Sequence, residues 1–103
     1  MRNTNRIPNP GDIRRKLGLN QSEFWGKIGV TQSGGSRYES GRNMPRPVRE
    51  LLRLVHIEGI DLAKAKGEDF QIAEHLKRNN ARLYERIRAQ IREQSRRQGR
   101  TKQ

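Results

Sequence analysis

Few side chains in this 103-residue chain have the type and spacing needed to make or break bonds. His56 and His75 stand far apart, and the absence of cysteine excludes a thiolate metal site, a disulfide framework and a Cys–His pair. The neighbouring carboxylates Glu68 and Asp69 suit the negative charge favoured at a helix start better than the roles of acid and base. No Gly-rich phosphate loop and no nucleophile elbow occurs. No catalysis, no cofactor and no metal are therefore expected.

The chemistry that remains is ionic. Twenty-three Lys and Arg against eleven Asp and Glu leave a formal charge of +12, which favours a polyanionic partner, nucleic acid first. The parts before and after residue 57 carry +7 and +5, so both are able to touch such a partner. A membrane-surface peptide needs bulky apolar residues opposite Lys and Arg, and only the C-terminal segment approaches that pattern. No apolar run nears the roughly 18 residues that span a bilayer, and the first residues form no apolar leader, so neither membrane insertion nor export is expected.

Contacts of this kind must be positioned by helices. Residues 1–11, rich in Asn, Pro and Arg, read as a flexible basic arm. Ile13 and Leu17 suit one short helix ending near Gly18. Asn20 with Glu23 forms a capping-box start for a second over about 21–28, which Gly29 breaks. Thr31 caps a third to about Ser40, closed by Gly41. Val48, Leu51, Leu52 and Val55 follow Pro47 at the spacing of a fourth helix. The segment 60–66 suits a further short helix. From about Glu68 to Arg97 neither Pro nor Gly interrupts, which predicts one long helix, followed by a basic tail over 98–103.

The run Gln21-Ser22-Glu23-Phe24-Trp25-Gly26-Lys27-Ile28-Gly29-Val30-Thr31-Gln32-Ser33-Gly34-Gly35-Ser36-Arg37-Tyr38-Glu39-Ser40-Gly41 resembles the helix-turn-helix of phage repressor and Cro proteins and of bacterial XRE-type regulators. The agreeing features are the initial Gln, the turn Gly followed by Val, the Thr cap and the ending Arg-Tyr-Glu-Ser-Gly. The resemblance extends to about residue 57. It implies an all-α fold: a compact N-terminal bundle of four to five short helices over 12–59 plus one long C-terminal helix within 60–97. It also implies base reading by Gln32, Ser33, Ser36 and Arg37 in the major groove. Gln pairs bidentately with adenine and Arg with guanine, at about 1–3 kcal/mol of discrimination each. Gln21, Thr31, Arg42 and Asn43 would contact phosphates, which orient without specifying. Arg46 and the arm residues Arg2 and Arg6 are weaker candidates, for which plain solvated charge is the simpler reading.

Two positions depart from the family pattern. Trp25 stands where relatives carry a small Ala, and Gly35 where they carry Ile or Val. These sites face each other, so the indole is expected to fill the volume vacated at Gly35. Tyr38 is expected in the core rather than as a stacking platform.

Along the expected C-terminal helix, Ile72, Ala73, Leu76, Asn80, Leu83, Ile87 and Ile91 form one stripe that needs a partner. The seven-residue steps from Leu76 to Leu83 and from Asn80 to Ile87 suit a short two-stranded seam, with Leu76, Asn80, Leu83 and Ile87 as dimerisation residues. Folding of this helix back onto Val48, Leu52 and Val55 is the alternative. The expected function is a sequence-specific transcriptional regulator, a repressor of operator DNA, working as a homodimer in the cytoplasm and nucleoid of a bacterium or for a phage. An antitoxin that masks a toxin with its C-terminal helix, and a nonspecific charge-driven binder, are the competing readings.

Overall fold

The computed structural model describes residues 8–101. Its elements are α1 (Pro10–Leu17), α2 (Gln21–Gly26), α3 (Gln32–Glu39), α4 (Arg46–Leu52), α5 (Gly67–Asn79) and α6 (Ala81–Thr101). Among the described residues there is no strand. The fold is all-α, and it divides into two compact units at Ala63 and Lys64.

In the first unit the short helices begin where local side chains supply acceptors to the orphan N–H groups of a helix start. The Asn9 side chain accepts from Gly11 N at 2.7 Å, and Pro10, which has no N–H to satisfy, occupies the first turn. Thus α1 starts two residues before Asp12, inside the segment expected to be a loose arm. Residues 1–7, and with them Arg2 and Arg6, lie outside the described residues. Asn20 and Glu23 form the capping box of α2, each side chain accepting from the other's backbone N–H, at 2.8 and 2.9 Å. Between α2 and α3 the chain turns through Gly29 at φ 79°, a left-handed conformation that a side chain would disfavour. Thr31 Oγ1 then accepts from Gly34 N at 3.1 Å to open α3.

Phe24, Trp25, Ile28 and Leu52 are buried, and Ile13, Leu19, Val30, Tyr38, Met44, Val48, Leu51 and Val55 pack around them. Tyr38 therefore belongs to the core, its ring 5.5 Å from that of Trp25. Beyond Leu52 the helix widens into a π-helical turn, Arg53–Ile57. His56, on this turn, stacks on Phe24 at 3.8 Å with planes 11° apart, and its Nε2 lies 2.9 Å from the Phe24 carbonyl. That carbonyl lies near the C-terminal end of α2, where acceptors lack helical partners. An N–H on Nε2 satisfies it, so His56 is a tertiary clasp rather than an ordinary helix residue.

Three expectations for the second half are corrected. Residues 60–66 form a turn and not a helix: Gly59 (φ 74°) ends the preceding helix, and the Asp61 side chain accepts from Ala63 N at 3.0 Å, offering the backbone a local alternative to helical bonds. The single helix expected over 68–97 is two, α5 and α6, interrupted at Asn80 (φ −153°, ψ 67°). Asn80 leaves the helical conformation because its side chain is worth more as a cap: Oδ1 accepts from Leu83 N at 3.2 Å and its carbonyl from Tyr84 N at 3.1 Å. Finally, α6 runs through Thr101 in place of the tail expected from 98, since Arg and Gln are good helix formers.

The two helices of this unit face each other. Asp69, Ile72, Ala73 and Leu76 of α5 and Tyr84, Ile87 and Ile91 of α6 line one groove of about 350 Å³. The amphipathic stripe is thus partly covered by the chain's own fold-back. No residue of this unit is buried among those described, and Phe70, Ile72 and Ile91 remain more than half exposed.

Candidate nucleic-acid interface

A helix can enter a DNA groove only if the rest of the domain holds it from behind. In α3, eight residues that include two adjacent glycines, intrinsic propensity is poor, because each interior Gly costs about 1 kcal/mol relative to Ala. What fixes α3 is its inner face. Gly35 is buried, and a Cβ built there would penetrate the Trp25 indole at Cγ, Cδ1 and Nε1, closer than real Cβ atoms approach any neighbour. The exchange of bulk expected between positions 25 and 35 is therefore present: the indole occupies the space of the missing side chain.

The far end of α3 is held by a carboxylate that the sequence reading left without a role. Glu39, with 9% of its side chain exposed, receives Arg14 Nε at 2.8 Å and Nη2 at 3.1 Å, Trp25 Nε1 at 2.9 Å and Gln21 Nε2 at 3.1 Å. Burial pushes this carboxyl up, but the hydrogen bonds from Arg14, Trp25 and Gln21, with the Arg14 charge, outweigh it and hold the pKa at about 2. One anion therefore ties α1, α2 and α3 together. The sequence carried a signal for it: a buried Trp needs an acceptor for its N–H, and Glu39 is the acidic residue on the facing helix.

With Gly35, Tyr38 and Glu39 turned inward, Gln32, Ser33, Ser36 and Arg37 share the opposite side of α3. Gln32, Ser33 and Arg37 are exposed, and Ser36 is half-buried. Gln32 Nε2 donates to Gln21 Oε1, so two residues expected in different roles are brought into contact across the turn. Gln21 in turn donates to Glu39, which links the exposed end of α3 to the buried anion. Thr31 is exposed at the cap. Its hydroxyl accepts from Gly34 N and also lies 3.5 Å from the Ser33 hydroxyl, either of the two being able to donate. Arg42 and Asn43 are exposed in the loop after α3, and Arg46 is exposed in the first turn of α4.

The residues expected at a dimer seam lie elsewhere. Leu76 and Ile87 are half-buried and face the groove between α5 and α6, Leu83 is half-buried on α6, and Asn80 is exposed at the junction. Because the helix is interrupted at Asn80, these four cannot form one continuous heptad seam. Among the described residues no helix is long and apolar enough to cross a membrane.

Residues 11–55 match the family model of the RsaL-like HTH domain, a span that runs from α1 into the π-helical turn and contains every element of the assembly around Glu39. Among curated proteins and among solved structures there is no significant match to the chain. The geometry of α2 and α3 and this likeness agree: the chain carries a helix-turn-helix of the kind found in DNA-binding regulators.

Proposed function

We propose that this protein is a sequence-specific transcriptional regulator of the phage repressor and Cro type, acting as a repressor by occupying operator DNA with α3 in the major groove. The observation that carries the reading is the division of α3 into a locked inner face, Gly35 against Trp25 and Glu39 in its hydrogen-bonded nest, and an outer face of polar side chains. Gln32, Ser33, Ser36 and Arg37 read base edges. Gln21, Thr31, Arg42 and Asn43 meet phosphates on either side. Selection of bound duplexes from a random pool tests this. A defined motif is expected, with the preference lost when Gln32 and Arg37 are replaced by Ala; no enrichment, or a preference unaffected by those replacements, defeats it.

The protein works as a homodimer, so that two α3 helices one DNA turn apart read a palindrome. The exposed Phe70, Ile72 and Ile91 on the second unit favour a protein partner there, and we place Leu76, Asn80, Leu83 and Ile87 at that contact. Sedimentation of Leu83→Glu beside the parent chain checks the dimer, and an unchanged oligomer removes this unit from the interface. The same exposed residues favour one other reading, an antitoxin whose second unit covers a toxin. A stable one-to-one heterocomplex with the product of a neighbouring gene, formed through α5 and α6, would select it.

A further inference from the structure

We infer that α6 is a second DNA-contacting element, binding duplex phosphates through an arginine face opposite its apolar side. The inference rests on the reading of the first unit as a DNA reader.

Among the described side chains of α6 every basic residue is Arg: Arg82, Arg86, Arg88, Arg92, Arg96 and Arg97, all exposed. Arg88 and Arg92 border the groove with α5; at about 100° per residue the other four, Arg82, Arg86, Arg96 and Arg97, share a face on the far side from Leu83, Ile87 and Ile91. Tyr84, Ile87 and Ile91, with Arg88 and Arg92 beside them, line the groove with Ile72 and Leu76 of α5, so the apolar side of α6 is partly covered by its neighbour helix. That partial cover counts against the membrane-surface reading, which needs the whole apolar side free to insert.

The charges are not spent on internal pairing. Glu85 takes Arg88, and Glu93 is shared between Arg96 and Arg97, all across exposed surface where such pairs are weak. Arg82, Arg86 and Arg92 have no carboxylate partner among the described residues. Solubility alone is served as well by Lys, whereas the planar guanidinium is matched to phosphate oxygens. From Arg82 to Arg97 the face runs about 22 Å, most of one DNA turn, long enough to meet several phosphates of a strand.

The test is the salt dependence of binding by the full chain to two duplexes, the selected site and a random sequence, read by fluorescence anisotropy. Each phosphate neutralised contributes about 0.9 to the slope of log K against log salt. Replacing Arg82, Arg86, Arg96 and Arg97 by Gln is expected to make that slope shallower by about 2–3 on both duplexes, with the ratio between them kept; the four Arg→Lys changes are expected to retain the slope. A helical, folded Gln variant with the parent slope overturns the inference, as does one that loses only binding to single-stranded RNA. Should the Gln variant fail to fold, Glu85→Gln with Glu93→Gln is expected to steepen the slope by about 1–2, and an unchanged or shallower slope overturns the inference equally. Failure of the underlying reading looks different: the parent chain then shows no preference between the two duplexes.

Discussion

Replacing Gly35 by Ala is expected to change sign with the residue at position 25. In the parent chain the new methyl gains about 1 kcal/mol of helix propensity. It also drives into the indole at Cγ and Cδ1, atoms of a fully buried ring that has no room to retreat. Overpacking of this kind costs about 1–3 kcal/mol. With so deep an overlap the upper part of that range applies, for a net loss of about 1–2 kcal/mol. In a Trp25→Ala background the obstructing atoms are gone. The methyl then keeps its propensity gain and adds up to about 0.8 kcal/mol by occupying part of the cavity, for a net gain of about 1–2 kcal/mol. The cycle therefore predicts a coupling energy of about 3 kcal/mol between the two positions. Trp25→Ala alone costs about 3–5 kcal/mol and removes one donor from Glu39, so urea unfolding is best followed by far-UV circular dichroism in a fixed concentration of a stabilising osmolyte. Equal effects of Gly35→Ala in both backgrounds would refute the packing argument.

Glu39 has a folded pKa of about 2 against an ordinary 4.5, so its contribution is complete above pH 4.5 and is lost as pH falls toward 2. Glu39→Gln should cost about 2 kcal/mol at neutral pH, after discounting for residual solvent contact, and should flatten the acid limb of a stability profile. The His56 pKa is lowered too, with the same sign for stability: burial lowers it, the Phe24 carbonyl opposes this, and Lys27 adds to it. The folded state thus resists protonation, stability is full above the ordinary value of 6.5 and declines as pH falls through and below it, and His56→Phe should abolish that component of the profile. Asn80→Leu removes a cap worth about 1 kcal/mol and restores an unbroken helical pattern. Spin labels at positions 71 and 92 should report a short distance in the parent chain and a new population near about 30 Å in the variant, the length of a straight helix over that interval.

What could be read from the amino-acid order follows the range of the interactions involved. Asn20 with Glu23, Thr31 with the N–H three residues on, and Gly29 in a left-handed turn act within one helical turn, and residue type alone announced them. The exchange at Trp25 and Gly35 was legible because two anomalies of opposite size fell on facing positions. Glu39 was harder to read, since its one sign was the need of a buried Trp25 N–H for an acceptor and its partner Arg14 lies 25 residues away. The break at Asn80 was missed for another reason. Apolar residues spaced by seven satisfy a straight helix facing a second chain and a helix pair facing itself, so the period leaves the two unresolved. The deciding term is the tendency of Asn to cap, and Asn79-Asn80 was its one local sign.

The order of α3 comes almost wholly from outside it. Its composition is that of a marginal helix, yet Thr31 fixes its start, the indole its middle and the bonds to Glu39 its end, so each turn is held by a group on another element or just before it. A glycine pair that would loosen a free helix here permits the closest approach to Trp25, and the indole that takes up that space also supplies a donor to the anion. The hydrogen bonds from Gln32 to Gln21 and from Gln21 to Glu39 carry this rigidity to the solvent-facing end. A side chain on a marginal helix spends binding energy on becoming ordered. One already restrained through the core spends less, which is the physical reason for a DNA reader to bury a charge that otherwise takes no part in contact.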